Sequence, residues 1–221
     1  MGYYPVFLEM DGRPCVVVGG GQVAERKVEG LLAAGASVTV VSPELTAALA
    51  ALKEEGRLQH VAREYREGDL EGFEIAVVAT DDGAVNADVV REGRSARRRI
   101  WVNAVDDPPN CDFIFPSVIR RGDVVIAAST GGASPALARH LRERLEAFLG
   151  EEYGPLAELI REVRQELRSR RVSVDPDTWQ AAINGRLRAL LAQGRRGRAR
   201  AHLLASLGVG ALTPVQRDRE K

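Results

Sequence analysis

The chain has 221 residues and a mass of 24.0 kDa, room for one large domain or an α/β domain with a smaller attachment. Hydrophobic residues make up 45% and charged residues 28%, a globular balance that excludes a disordered or collagen-like chain. The 31 basic and 31 acidic residues cancel, which argues against a whole-chain nucleic-acid binder, and no apolar run approaches the ~20 residues of a membrane helix.

The stretch Met1 to Val6 lacks the charged-then-apolar plan of a signal peptide, and Val6 breaks the myristoylation pattern, so a cytoplasmic protein is expected. Cys15-Val16-Val17-Val18 is a short β-branched run ending at Gly19. Val23 to Ala34 carries Val23, Val28, Leu31 and Leu32 at helical spacing, and Gly35 stops that helix. Ser37 to Val41 is a second strand ended by Ser42-Pro43. A helix is predicted from about Pro43 to Glu55, with Leu45, Leu49 and Leu52 on one face. His60-Val61-Ala62 is a weak strand and Glu74 to Ala79 a strong one. Ala84 to Ser95 reads as a helix and Ile100 to Ala104 as a strand. Strands apolar on both faces, alternating with helices, predict a parallel sheet covered on both sides, and right-handed crossovers make it doubly wound.

After residue 105 the pattern changes. Asp106-Asp107-Pro108-Pro109-Asn110 is a turn or loop. Phe113 to Pro116 and Asp123 to Ala128 are predicted strands around the Arg121-Gly122 turn. Ser134-Pro135 opens a helix with Leu137, Leu141, Leu145 and Phe148 as its buried face. From Pro155 onward all signals are helical. Leu156, Ile160, Val163 and Leu167 form one stripe, and Asp175-Pro176 opens a helix containing Trp179, Ile183, Leu187 and Leu190. Residues 1–150 hold 17 basic and 22 acidic side chains, residues 151–221 hold 14 and 9, and nearly all the positive charge is Arg. Arg suits carboxylate or phosphate binding because its planar fork pairs bidentately, although a solvated surface explains the bias equally well.

Four segments are able to carry chemistry. Gly19-Gly20-Gly21-Gln22-Val23-Ala24 fits G-x-G-x-x-A, follows a strand and opens a helix. Gly19 permits the tight turn, Gly21 lets backbone amides approach a pyrophosphate, and Ala24 lets helix and strand pack closely. Phosphates would rest on the helix N-terminus at Gln22 and Val23. Dinucleotide binding is the reading; the bland alternative is a tight structural turn. The acidic residue usual after the second strand is absent. Glu44 is near enough to reach the ribose, or Ser42, Pro43 and backbone groups substitute. No Arg there welcomes a 2′-phosphate, which favours NAD over NADP.

Thr80, in Ala79-Thr80-Asp81-Asp82, ends a strand on the edge where cofactors lie, while Asp81 and Asp82 read first as caps of the next helix. In Asn103-Ala104-Val105-Asp106-Asp107 a carboxylate is a candidate general base or cation ligand, or merely turn chemistry. Ser129 to Pro135 is a Gly-rich loop feeding a helix, either an anion site or, more commonly, a capped turn. Cys15, Cys111, His60, His140 and His202 show no CxxC or HExxH spacing, so no preformed metal site is expected.

Taken together, Pro5 to Leu8, Gly12 to Lys27, Ala79 to Asp82, Asn103 to Asp106, Phe113 to Ser117 and Ser129 to Arg139 resemble the siroheme synthase N-terminal family, the precorrin-2 dehydrogenases and sirohydrochlorin ferrochelatases. The resemblance covers about residues 3–150; the tail matches only in being helical. It implies NAD-dependent oxidation of precorrin-2, a partly reduced tetrapyrrole with eight carboxylates, to sirohydrochlorin. It further implies Asp106 as the key catalytic carboxylate, a homodimer, and in some members insertion of Fe²⁺ as a second substrate. The expected architecture is then an NAD-binding Rossmann domain at 1–112, a small α+β dimerisation segment at 113–150 and a helical C-terminal domain at 151–221. Where family members carry a phosphorylatable Ser in the Gly-rich loop, this chain has Thr130 beside Ser129. A non-catalytic NAD-sensing module is the competing reading. It has no need of the Asp106 loop. Nucleic-acid binding through Arg195 to Arg200 is weaker still, because the run is short and lacks aromatic interleaving.

Overall fold

The computed structural model describes residues 2–95, 99–105 and 107–209. The chain divides into two compact units, residues 1–115 and 116–221. In the first, five strands run parallel among the described residues: β1 (Pro14–Val18), β2 (Ser37–Val41), β3 (Gln59–Val61), β4 (Ile75–Val78) and β5 (Trp101–Ala104). Their order in the sheet is β3-β2-β1-β4-β5. The order reverses at β1, so the carboxyl ends of β1 and β4 flank the crevice where an open α/β sheet takes its ligand.

Residue alternation along β1 explains why both faces are covered. Cys15 and Val17 point into one core with Val28 and Leu31 of α1 (Gln22–Ala33) and Leu49 of α2 (Ala47–Glu54). Val16 and Val18 point into the other with Val89 and Val90 of α3 (Gly83–Ser95) and Leu70. Each of these side chains is buried, and burial of a Val or Leu stabilises by about 1.5–3 kcal/mol. A strand so placed tolerates no polar face, which is why β1 reads as a continuous apolar run.

The second helix starts later than its sequence suggests. Thr46 is its N-cap, with Oγ1 accepting from the Leu49 N–H at 3.3 Å. Residues 42–45 are held instead as an extended link against the glycine turn. Phe113 to Pro116 form no strand. Asn103 Nδ2 donates to the Phe113 carbonyl at 2.8 Å, and Pro116 has no N–H to give a ladder.

In the second unit, β6 (Ser117–Arg121) and β7 (Val124–Ala128) form an antiparallel hairpin. Helix α4 (Pro135–Phe148) lies beside it, capped by Ser134 Oγ accepting from the Leu137 N–H at 3.1 Å. The expected buried face of α4 is exposed: Leu137 is 49%, Leu141 40%, Leu145 38% and Phe148 74% accessible, and Ala138 is the residue that is covered. Helix α5 (Tyr153–Ser169) buries Leu156, Leu159, Val163 and Leu167 against Leu187, Leu191 and Leu203 of the helices that follow it. The single helix expected after Asp175 is two, α6 (Pro176–Ala182) and α7 (Gly185–Ala192). Asn184 breaks it, because its Oδ1 accepts from the Leu187 N–H at 3.0 Å and so caps a new helix. Ile183 is left 42% exposed at the break.

Helix α8 (Arg196–Ser206) carries the Arg-rich run. Arg196 pairs with Glu158 and Glu162 at 3.4 and 2.7 Å, and Arg200 with Glu166 at 2.5 Å, all on α5. Arg170 reaches the same Glu166 at 3.0 Å. Arg196 and Arg200 thus tie α8 to α5 within one unit, while Arg170 pairs at the end of α5 itself; two of the four arginines of the run are engaged in this way, which weakens a nucleic-acid reading of it. No helix among the described residues is long and apolar enough to cross a membrane.

Candidate functional site

The site grows from the turn between β1 and α1. Gly19 has φ +116°, a left-handed conformation, and a Cβ there would lie 2.3 Å from the Ala79 carbonyl oxygen. Gly20 is closed for another reason: its Cβ would lie 2.0 Å from the Glu44 carbonyl oxygen and 2.7 Å from Ser42 Oγ. Gly21 differs from both. It is the N-cap of α1, and its missing side chain would meet nothing within 4 Å. The first two glycines are required by protein neighbours; the third opens onto free space in front of a helix N-terminus. The first-turn amides of α1 have no intrahelical acceptor, and the helix dipole favours an anion beside them. A dinucleotide pyrophosphate fits this cradle, since only a residue without a side chain lets a phosphate approach the backbone.

Three strand ends converge on the turn. Gly19 N–H donates to the Val41 carbonyl at 2.9 Å and Ala79 N–H to the Val18 carbonyl at 2.8 Å. Thr46 N–H donates to the Gly20 carbonyl at 3.0 Å. Ser42 is buried and its hydroxyl faces Gly20, whereas Pro43 and Glu44 are exposed. Glu44 meets the turn through its carbonyl, not its carboxylate. Ala24 is fully buried against the first core, and Val23 is half-buried. Gln22, Glu25, Arg26, Thr46, Ala47 and Ala48 line an open cleft of about 520 Å³ between the starts of α1 and α2.

Thr80 stands across the turn, its methyl 3.4 Å from the position of a Gly19 Cβ. Its Oγ1 donates to Asn86 Oδ1 at 2.9 Å and accepts from the Asp82 N–H at 3.2 Å. Asp82 caps α3 through Oδ1, which accepts from the Ala84 and Val85 amides at 2.8 and 3.3 Å.

Asp106 lies outside the described residues; the residues on either side of it are tied to the sheet and to one another. Val105 N–H donates to the Val78 carbonyl at 3.0 Å, and Asp107 Oδ2 accepts from Asn110 Nδ2 at 2.7 Å. Cys111 Sγ donates to the Ala104 carbonyl at 3.0 Å, and burial pushes its thiol above the ordinary range. Asp112 closes the loop by accepting from the Val102 N–H at 3.0 Å and from Arg99 at 2.5 Å. Lys27 joins this loop to the nucleotide helix, with Nζ 4.0 Å from the Phe115 ring centroid, and Phe115 stacks edge-on to Phe113.

Sequence reasoning missed Gly20, Thr46, His60, Asn103 and Lys27. Gly20 and Lys27 sit inside the recognised motif but have no assigned role in it. Thr46 shows as a helix cap only if the helix start is placed correctly. In the Gly-rich loop, Thr130 Oγ1 donates to the Ser134 carbonyl at 3.0 Å and accepts the Ser134 N–H at 3.1 Å, so the loop is a self-satisfied turn. Among the described residues no cluster of three or more His, Cys, Asp or Glu is arranged to hold a metal ion.

Comparison with known proteins agrees with this geometry. Residues 6–117 match the family described as putative NAD(P)-binding, and residues 121–147 match the family described as sirohaem biosynthesis protein central. The chain is 41% identical over 215 residues to siroheme synthase of Methylococcus capsulatus, covering 96% of this chain and 44% of that protein. It is 46% identical over 166 residues to siroheme synthase of Methylobacillus flagellatus, covering 75% of this chain and 35% of the relative. The chain thus spans less than half the length of these curated relatives. Among solved structures it resembles SirC, precorrin-2 dehydrogenase, with a TM-score of 0.73 and 29% identity over 93% of this chain and 99% of that one. The chain therefore belongs to the siroheme synthase N-terminal family, a nicotinamide-dinucleotide-binding module followed by the sirohaem biosynthesis central segment.

Proposed function

We propose that the chain is a precorrin-2 dehydrogenase that oxidises precorrin-2 to sirohydrochlorin with NAD. The observation that carries this reading is the likeness, along nearly the full length of both chains, to the precorrin-2 dehydrogenase SirC, taken with the glycine-lined turn of this chain. Precorrin-2 loses two electrons and two protons in all, as a hydride and a proton. NAD, when bound, supplies the hydride acceptor. The residues of this chain do the rest. The α1 N-terminus behind Gly21 holds the pyrophosphate, Thr80 and the Ser42–Glu44 link border the nucleotide, and Asp106 accepts the proton. A base held in position contributes ~10²–10⁴-fold. The absence of a 2′-phosphate partner among residues 42–45 supports NAD over NADP.

The apolar stripe of α4 supports a homodimer in which residues 113–150 supply much of the interface. Such a stripe is costly to leave in water and is narrow enough to pair with its own copy. Both cysteines are free, which suits the cytoplasm. The test is incubation of the protein with precorrin-2 and NAD while following NADH and sirohydrochlorin. Stoichiometric formation of both is expected. Nucleotide binding without turnover would leave a sensing module in its place. Adding Fe²⁺ or Co²⁺ afterwards decides whether the same chain also inserts the metal substrate.

A further inference from the structure

His60 lies on β3 with its ring half-buried, and no role in nucleotide binding has been given to it. Its Nε2 is 2.8 Å from the Ser42 carbonyl oxygen. A carbonyl only accepts, so Nε2 carries the proton and donates. Nδ1 is buried and has no hydrogen-bond partner. The ring therefore tolerates one unsatisfied nitrogen for the sake of a single bond, and a buried unsatisfied polar atom calls for an explanation. Ser42 is the residue at which β2 leaves the sheet. Its N–H donates to the Val61 carbonyl at 3.2 Å, its hydroxyl faces Gly20, and the Glu44 carbonyl two residues on closes over Gly20. Thr46 then returns its N–H to the Gly20 carbonyl.

We infer that His60 is a positioning residue for the nucleotide turn: its Nε2–H fixes the Ser42 carbonyl, and through the 42–46 link it sets where Gly20 and Gly21 stand. The inference rests on the dinucleotide-binding reading of that turn. Without the donor the Ser42 carbonyl loses its partner and the β2 end is held to β3 by the Ser42 N–H bond to Val61 alone, while both apolar cores remain intact. The effect falls on affinity for the nucleotide, since a phosphate cradle must be held within about half an ångström to work.

The test compares His60→Gln with His60→Met in the full chain. The two replacements reach equally far from the backbone, Met as an unbranched thioether and Gln as a terminal amide, and only Gln keeps an N–H donor. NADH binding is titrated by its fluorescence and NAD binding by competition, with circular dichroism and thermal unfolding of the unliganded protein alongside. His60→Met is expected to stay folded and to weaken both nucleotides about tenfold, with His60→Gln restoring affinity to within about threefold of the unmodified chain. Equal affinity in a folded His60→Met overturns the inference. So does loss of folding in that variant, or equal weakening in the two variants, because either makes the ring a packing element only. An unmodified chain that binds neither nucleotide instead overturns the dinucleotide reading beneath it.

Discussion

Glu25 and Thr46 stand 21 positions apart and share a hydrogen bond of 2.5 Å, in which Thr46 Oγ1 donates to Glu25 Oε2. The same hydroxyl caps α2 by accepting from the Leu49 N–H. One threonine thus sets the start of α2 and ties it to the first turn of α1 across the cleft.

The three glycines of the turn should separate in mutagenesis. Gly20→Ala forces a Cβ against the Glu44 carbonyl and Ser42 Oγ. A loss of about 1–3 kcal/mol of folding stability is expected, together with loss of nucleotide binding. Gly21→Asp meets no protein atom, so its urea midpoint should stay near that of the unmodified chain while NAD binding disappears. A Gly21→Asp protein that binds NAD normally would remove the pyrophosphate from that position.

Asp106→Asn keeps shape and removes the proton acceptor. Turnover of precorrin-2 should fall at least ~10²-fold with NAD affinity unchanged. Near-normal kcat in this variant would end the role given to the carboxylate.

Leu141 sits midway along the exposed stripe of α4. If that stripe pairs with a second copy, Leu141→Asp buries two charges at the contact, which binding cannot repay. Sedimentation should then report a mass near the 24.0 kDa of one chain, with circular dichroism unchanged. A variant of unaltered mass places the partner surface elsewhere.

Arg171 adopts φ +56° just after α5, a left-handed conformation that costs a non-glycine residue about 1–2 kcal/mol. Glycine removes that strain but loses more backbone entropy on folding, about 0.5–1 kcal/mol. Arg171→Gly should therefore raise stability by about 0.5 kcal/mol, read as a higher urea midpoint at constant slope.

Two groups, the half-buried Asp69 and the buried Cys15, give stability opposite pH limbs. Asp69 accepts from Arg63 Nη1 and Nη2 at 2.6 Å each, and this pairing holds its carboxyl below the ordinary range. Its contribution is complete above about pH 4 and fades as acid is added. Burial pushes the Cys15 thiol up from 9.0 to about 11, so the folded state keeps that proton longer than the unfolded chain does. Its contribution is present below pH 9 and is lost as pH rises toward 11. Denaturation profiles should lose part of the acid limb in Asp69→Asn and part of the alkaline limb in Cys15→Ala.

The sheet was legible because its strands are buried on both faces: the Val16–Val18 run and the β4 run have no other home. The glycine turn was legible because two of its glycines answer to geometry fixed within the motif. Gly20 was not, since the atoms that exclude its Cβ come from residues 42 and 44, and folding alone brings them there. His60 was hidden for the same reason, its partner being 18 positions away. Helix periodicity located α4 but not the occupant of its apolar side. It also ran α6 into α7, because Asn184 fits helical spacing while its side chain favours a cap.

The Arg196 and Arg200 pairs with Glu158, Glu162 and Glu166 lie across the seam between α5 and α8, and Arg170 adds a pair with Glu166 at the end of α5 itself. Hydration of charged groups becomes less favourable on warming, so an ion-pair network gains weight relative to its dehydration cost as temperature rises. The network should therefore add more to the cohesion of the helical unit in the heat than at room temperature, and less as salt screens its partly exposed charges, while the apolar core beneath it is unaffected by that screening.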